Sequence, residues 1–147
     1  MAGNILDMQY MRYINLFERV SRIRTTVCFP YNNMIVFAVS PNKVSEAIGK
    51  NASNVKEISE ILRKKIKVVP MPYGKSAKDI EEFISAVVSP VEFNKFEFSG
   101  KGVVIGATMQ NKAALIGRNS VRLKELEDIL KRYFDVSELR IVWGVSV

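Results

Sequence analysis

The chain has 147 residues, 48% of them hydrophobic, with a formal net charge of +7, no histidine and one cysteine, Cys28. This length suits one ordinary domain or two of about 70 residues, and the apolar share excludes a disordered polymer. The absent histidine removes the commonest general base and metal ligand, and a lone cysteine excludes a disulfide framework or a cysteine-based metal site.

No apolar run approaches the roughly 20 residues of a membrane span, and the N-terminus carries no signal-peptide pattern. The expectation is a cytoplasmic protein without a membrane partner, metal or cofactor. A pI of about 9.6 favours nucleic acid as the partner over an anionic membrane surface.

Taken in chain order, residues 5–20 place Ile5, Met8, Met11, Ile14, Leu16 and Val20 at helical spacing, with Tyr13 and Phe17 between them. The spacing predicts a helix with a broad buried face. Thr25–Phe29 and Met34–Val39 are short apolar runs around Pro30-Tyr31-Asn32-Asn33, a turn signal, and predict a β-hairpin. Cys28 reads as a small apolar residue in the first of these strands. A short helix over 41–48 ends at Gly49, a second follows over 52–63, and Ile66–Val69 reads as a strand.

Pro70-Met71-Pro72-Tyr73-Gly74 is the only Pro/Gly-dense stretch and sets the expected boundary, with domains at 1–71 and 72–147 joined by a stiff connection. The order then recurs. Ser76 starts a helix through Val87, with Asp79 placed for a capping box. Val91–Phe98 and Val103–Ala107 predict a hairpin. Within it Phe96 and Phe98 share one face and Val91 and Phe93 the other, so one pair at least is expected in the core. Helices over 110–116 and Ser120–Tyr133 and a strand over Leu139–Trp143 complete the second half, with Trp143 expected to be buried or at the seam between modules. Each half reads α-β-β-α-α-β, an α+β class.

The two halves also share a motif. Residues 48–62 read IGKNASNVKEISEIL and residues 116–130 read IGRNSVRLKELEDIL, at a constant offset of 68. Of the 15 aligned positions seven are identical and five are conservative exchanges. In each copy a glycine that closes one helix, a cation and an asparagine precede the next helix. Glycine there takes backbone angles closed to other residues and lets the chain approach a phosphate closely. The N–H groups and dipole of the following helix point into the same space. Lys50 and Arg118 add charge, and Asn51 and Asn119 can bond sugar or phosphate oxygens. Ser120, and Ser53 one residue later in its copy, are candidate N-caps. Lys56 and Lys124 occupy equivalent helix positions, with Arg122 on the first turn of the second helix. Glu57 and Glu125 correspond as surface partners of nearby cations. Val55, Ile58, Ile61 and Leu62 match Leu123, Leu126, Ile129 and Leu130 as a core stripe.

Gly-Lys-Asn-Ala and Gly-Arg-Asn-Ser between two helices resemble the GXXG loop of the K-homology (KH) domain, which clamps about four nucleotides of single-stranded nucleic acid. The element order resembles the type II, prokaryotic form, with a three-stranded sheet packed on helices. Ala52 and Ser120 stand where the family has its second glycine; both are small, and the loop shape is expected to survive. Two such modules on a short connection resemble the KH pair of the NusA transcription termination/antitermination factors, in their short archaeal form. The strings AIGKNASNVKEI and LIGRNSVRLKEL carry the resemblance, with MIVFAV before the first, over residues 5–144 or so.

The resemblance implies a transcription termination/antitermination factor that binds single-stranded RNA without catalysis. The residues expected to touch RNA are Gly49, Lys50, Asn51, Ala52, Lys56, Gly117, Arg118, Asn119, Ser120, Arg122 and Lys124. The transcription machinery is a second implied partner. No polymerase-binding domain is expected before residue 5, and no S1-type barrel, so direct polymerase contact is not implied. A monomer is the favoured state.

Three alternatives stand beside this reading: a ribosome-associated or ribosome-assembly KH protein binding structured rRNA, a small nucleotide enzyme, and a protein adaptor that has lost RNA. Gly74-Lys75-Ser76 looks like the end of a P-loop, but Val69 stands where its first glycine is required. Lys101-Gly102 opens like an RNP1 string, yet Val103, Val104 and Ile105 follow in place of aromatics. Carboxylates such as Glu81, Glu82, Glu127 and Asp128 read as surface charges, and no acid–base pair can be picked out.

Overall fold

The computed structural model describes residues 5–144, with side chains from residue 8 onward, which leaves the Ile5 side chain outside the described residues. Internal packing divides the chain into two compact units, Met1–Met71 and Pro72–Val147. Each unit has one three-stranded sheet with helices, a mixed α+β form that fits a KH-like domain.

The first unit begins with α1 (Ile5–Ser21). Phe17, Tyr13 and Leu16 are buried, and Tyr10, Ile14 and Val20 pack against the same cluster. Met8 and Met11, expected on the buried face, are 52% and 62% exposed. At 3.6 residues per turn they fall on the side of the helix away from Phe17. Strands β1 (Val27–Tyr31) and β2 (Met34–Val39) form the predicted hairpin, but its turn is only Asn32-Asn33, both with positive φ, the type I′ pattern. Pro30 and Tyr31 belong to β1. Proline is tolerated there because β1 lies at the sheet edge, where a missing N–H breaks no ladder.

The chain continues through a 3₁₀ turn (Pro41–Lys43) into α2 (Val44–Ile48), a second 3₁₀ turn (Lys50–Ala52), α3 (Ser53–Leu62) and β3 (Lys65–Pro70). β3 runs parallel to β2, with Met34 opposite Lys65 and Ile35 opposite Ile66, so the sheet order is β1-β2-β3. Phe17 stacks on Phe37 of β2 at 4.4 Å between ring centroids. Cys28, Ile35, Val39, Ala47 and Ile58 complete the core around them. Burial pushes the Cys28 thiol far above its ordinary range, so it is an inert packing group.

The second unit begins at α4 (Ala77–Val88), opened by a complete Ser76/Asp79 capping box. The Asp79 N–H donates to Ser76 Oγ at 3.1 Å, and the Ser76 N–H donates to Asp79 Oδ2 at 3.1 Å. Gly74-Lys75-Ser76 is therefore the lead-in to a helix cap. Strands β4 (Lys95–Ser99) and β5 (Gly102–Ala107) pair antiparallel, followed by α5 (Met109–Ile116), a 3₁₀ turn (Arg118–Ser120), α6 (Val121–Phe134) and β6 (Glu138–Trp143), parallel to β5. The sheet order β4-β5-β6 repeats that of the first unit. Phe83 of α4 meets Phe134 of α6 at 4.8 Å, and Ile80, Leu115, Leu126 and Ile141 are buried in the same unit.

Three expectations are corrected here. The strand expected from Val91 begins only at Lys95, because residues 91–94 form the connection from α4, where the Val91 N–H bonds the Val88 carbonyl. None of Val91, Phe93, Phe96 and Phe98 is fully buried: all four are intermediate, on and beside an edge strand. Trp143 is 56% exposed, at the end of the other edge strand, which overturns burial as its expected place.

Candidate functional site

Both repeat loops fold to the same backbone. Gly49 ends α2, its N–H bonding the Ser45 carbonyl at 3.0 Å, and Gly117 ends α5, bonding Ala113 at 2.9 Å. Their angles are φ 83°, ψ 166° and φ 75°, ψ 170°, a region open in practice only to glycine. A Cβ at Gly49 would lie 2.8 Å from Ser53 Oγ and 2.9 Å from Asn54 Nδ2; at Gly117 it would lie 2.6 Å from Arg122 Cγ and 3.0 Å from the Arg122 backbone nitrogen. The close approach that each glycine permits is thus to its own following helix.

Two consecutive left-handed residues follow in each loop. Asn51 has φ 54°, ψ 33° and Ala52 φ 59°, ψ 29°; Asn119 has φ 56°, ψ 29° and Ser120 φ 61°, ψ 25°. Asparagine tolerates this region; alanine and serine do so at a cost of about 1–2 kcal/mol. The fourth position therefore keeps a glycine-like backbone without glycine. Its N–H turns inward, from Ala52 to the Gly49 carbonyl at 3.0 Å and from Ser120 to the Gly117 carbonyl at 3.1 Å. The next N–H, of Ser53 and of Val121, returns to the Lys50 and Arg118 carbonyls. Two amides expected to point at an anion are thus held within each loop. Ser120 takes the N-cap position of α6, but its left-handed backbone gives no side-chain cap bond, and Ser53 is the first residue of α3 rather than its cap.

What the loops present outward is Lys50 and Asn51 in one unit, Arg118 and Asn119 in the other, all exposed. Neither Lys50 nor Arg118 has an ion pair among the described residues. Asn54 fastens the first loop from behind, donating from Nδ2 to the Glu46 carbonyl at 3.2 Å. In the second loop Arg122 fills that supporting place. It pairs with Glu125 at 3.1 Å, both side chains less than a quarter exposed. Lys56 and Lys124 are exposed on α3 and α6.

An open groove of about 420 Å³ lies along α3, between it and the starts of β2 and β3. Val55, Ile66 and Met34 supply its apolar floor, and Lys56, Lys65 and Glu60 its charged rim. Lys65 belongs to a run that the sequence expectations did not include: Arg63, Lys64, Lys65 and Lys67 are four cations in five residues, from the end of α3 into β3. Arg63, Lys64 and Lys65 are exposed, whereas partial burial lowers the Lys67 pKa. The run was visible in the sequence, but only the fold puts one of its members, Lys65, on the groove. Ile61, expected in the core stripe, is 55% exposed, while its counterpart Ile129 is 4% exposed. α3 ends one residue after Ile61, whereas α6 runs on to Phe134, and Phe134 and the following Val136 are buried.

Among the described residues no cluster of histidine, cysteine and carboxylates could hold a metal ion, and no helix is long and apolar enough to cross a membrane.

No protein-family model matches the chain. Curated proteins do. It is 25% identical over 140 residues to the probable transcription termination protein NusA of Thermoplasma acidophilum, covering 92% of this chain and 94% of that one. It is 25% identical over 146 residues to the protein of the same name from Methanocaldococcus jannaschii, covering 97% and 77%. With that of Halococcus morrhuae it shares 22% over 134 residues, covering 89% and 93%. The crystal structure of APE1850 superposes with a TM-score of 0.64 at 25% identity, over 89% of this chain and 96% of that one. Along about nine-tenths of its length, the chain is thus similar to archaeal proteins named as probable transcription termination protein NusA.

Proposed function

We propose that this protein is a tandem type II KH protein, with modules at 1–71 and 72–147, that binds single-stranded RNA and acts as a transcription termination/antitermination factor without catalysis. The observation that carries this reading is the pair of loops: Gly-Lys-Asn-Ala and Gly-Arg-Asn-Ser with matching backbone angles, each holding an unpaired cation and an asparagine outward. The sheet orders β1-β2-β3 and β4-β5-β6, each with one antiparallel and one parallel pair, support the KH assignment. The name shared by the relatives supports the place in transcription.

In this reading Gly49, Ala52, Gly117 and Ser120 set the loop shape. Lys50 and Arg118 hold phosphate charge, and Asn51 and Asn119 bond the sugar–phosphate backbone. Lys56 and Lys124 extend the positive track, and Arg122 braces the second loop. Two modules on one chain bind the same strand at a high effective concentration, so losing both loops costs far more than losing either. The test is fluorescence anisotropy with single-stranded RNA, duplex RNA and single-stranded DNA across a salt series. Lys50→Asp/Arg118→Asp is expected to abolish a single-strand preference that each single variant only weakens. If each loop holds one phosphate, the double variant lowers the salt slope by about 1.4. Binding that is blind to strand state and to the double variant overturns the assignment. Preference for a folded rRNA junction would move the protein to the ribosome.

A further inference from the structure

The two modules carry unequal charge. Residues 1–71 hold eleven Lys and Arg against five Asp and Glu, net +6; residues 72–147 hold eleven against ten, net +1. The difference falls on the groove. Strand register pairs Met34 with Lys65 and, 68 residues on, Gly102 with Glu138. Glu138 is therefore the counterpart of Lys65, and Leu139 of Ile66. The repeat aligns Ser59 with Glu127 and Glu60 with Asp128. Arg63 and Asp135 are each the left-handed residue closing its helix, although the repeat itself aligns Arg63 with Lys131. Lys65 at the rim of the first groove is thus matched by a carboxylate in the second, and Ser59 by another, whereas Lys56 is matched by a cation, Lys124.

One of these carboxylates reaches across. Glu127 Oε2 accepts from the backbone N–H of Leu139 at 3.4 Å, bridging α6 to the edge strand β6, and its other oxygen lies 3.9 Å from Lys131 Nζ. In the first module Ser59 is too short for that span, and its hydroxyl donates instead to the Lys64 carbonyl at 2.7 Å. The space between α3 and β3 stays open.

In the RNA reading, bases enter the groove between α3 and β3; we propose that Glu127 bars the matching groove of the second module by occupying the Leu139 N–H. This rests on the RNA reading above. An edge-strand N–H is a donor that a base oxygen or ring nitrogen can use, and in the second module it is taken. Glu127, Asp128 and Glu138 also repel the phosphates that must accompany any base entering there. The second module then holds backbone through its loop, and the first reads bases.

The experiment uses the full-length chain, a labelled mixed-sequence single-stranded RNA of a dozen nucleotides, and ¹⁵N amide spectra. In the wild type, RNA is expected to shift the Ile66 amide and leave Leu139 in place. Lys65→Glu is expected to weaken binding about tenfold. Glu127→Ser, which installs the first module's residue, is expected to tighten binding threefold or more and to make the Leu139 amide respond to RNA. Glu127→Gln, which drops the charge but keeps an acceptor for the N–H, is expected to give a smaller gain than serine. The amide spectrum of each variant confirms its fold. A wild-type Leu139 amide that moves as much as Ile66, or a Glu127→Ser protein that binds no better, overturns the barred groove while leaving RNA binding intact. A wild type that binds no RNA overturns the RNA reading itself, and this proposal with it.

Discussion

Gly49 and Gly117 take nearly the same backbone angles, yet different atoms press on them. Behind Gly49 stand the tips of two short side chains, Ser53 Oγ and Asn54 Nδ2. Behind Gly117 stand Arg122 Cγ and the Arg122 backbone nitrogen. The Arg122 side chain is held in turn by Glu125. A duplicated loop has therefore kept its path while its support changed from an amide bridge to an ion pair. The helices beyond the loops diverge further: ten residues in α3, fourteen in α6. Conservation of the loop path within one chain, against drift in everything that braces it, identifies the path as the constrained quantity.

The divergence is largest at Ile61 and Ile129, aligned residues with opposite environments. Ile129→Ala is expected to cost about 3 kcal/mol, because it opens a cavity in a packed core. Ile61→Ala is expected to cost less than about 0.5 kcal/mol, as an exposed change does. Urea unfolding checks both. Trp143 is the only tryptophan, so its fluorescence follows the second unit and far-UV circular dichroism follows both. Equal costs would mean that the two stripes are equally buried, against the accessibility of Ile61.

At the glycines the expected difference is smaller. Alanine at either position meets backbone strain of about 1–3 kcal/mol. At Gly49 the added methyl displaces only side-chain tips, and the total is expected near 2 kcal/mol. At Gly117 it meets a backbone atom that cannot rotate away, and the total is expected near 3 kcal/mol. The same denaturation measurement ranks them. A Gly49→Ala protein less stable than Gly117→Ala would reverse the reading of which support is rigid.

The sequence made the duplication, the element order and the two loops legible, because each rests on local signals: repeated strings, turn residues, apolar periodicity. Where reading failed, the deciding fact was not local. Pro30 signals a turn until the sheet order shows β1 to be an edge. Met8 and Met11 fit an apolar stripe, but the burial arc selects Tyr13, Leu16 and Phe17 instead. Glu127 looks like any helix carboxylate until β6 brings the Leu139 N–H beside it. Ser53 and Ser120 have the chemistry of caps, yet the left-handed pairs Asn51-Ala52 and Asn119-Ser120 carry the chain into each helix without them. No propensity predicts two successive left-handed residues ending in alanine.

Those left-handed pairs give the smallest and most exacting comparison. Ala52→Gly and Ser120→Gly each replace a residue at φ near +60° with the one that suits it. The relief is about 1–2 kcal/mol, offset by the roughly 0.4–1 kcal/mol of extra chain entropy that glycine gives the unfolded state. Relief is the larger of the two, so each variant is expected to be more stable by about 0.5 kcal/mol, and both together by about 1 kcal/mol since the sites lie in separate units. Matched urea curves resolve a shift of that size in the double variant. If glycine destabilises either loop, the left-handed conformation there is not strained, and alanine and serine would be native choices of the loop rather than tolerated substitutes. The sign of this small number therefore decides whether the missing second glycine is a compromise in the fold.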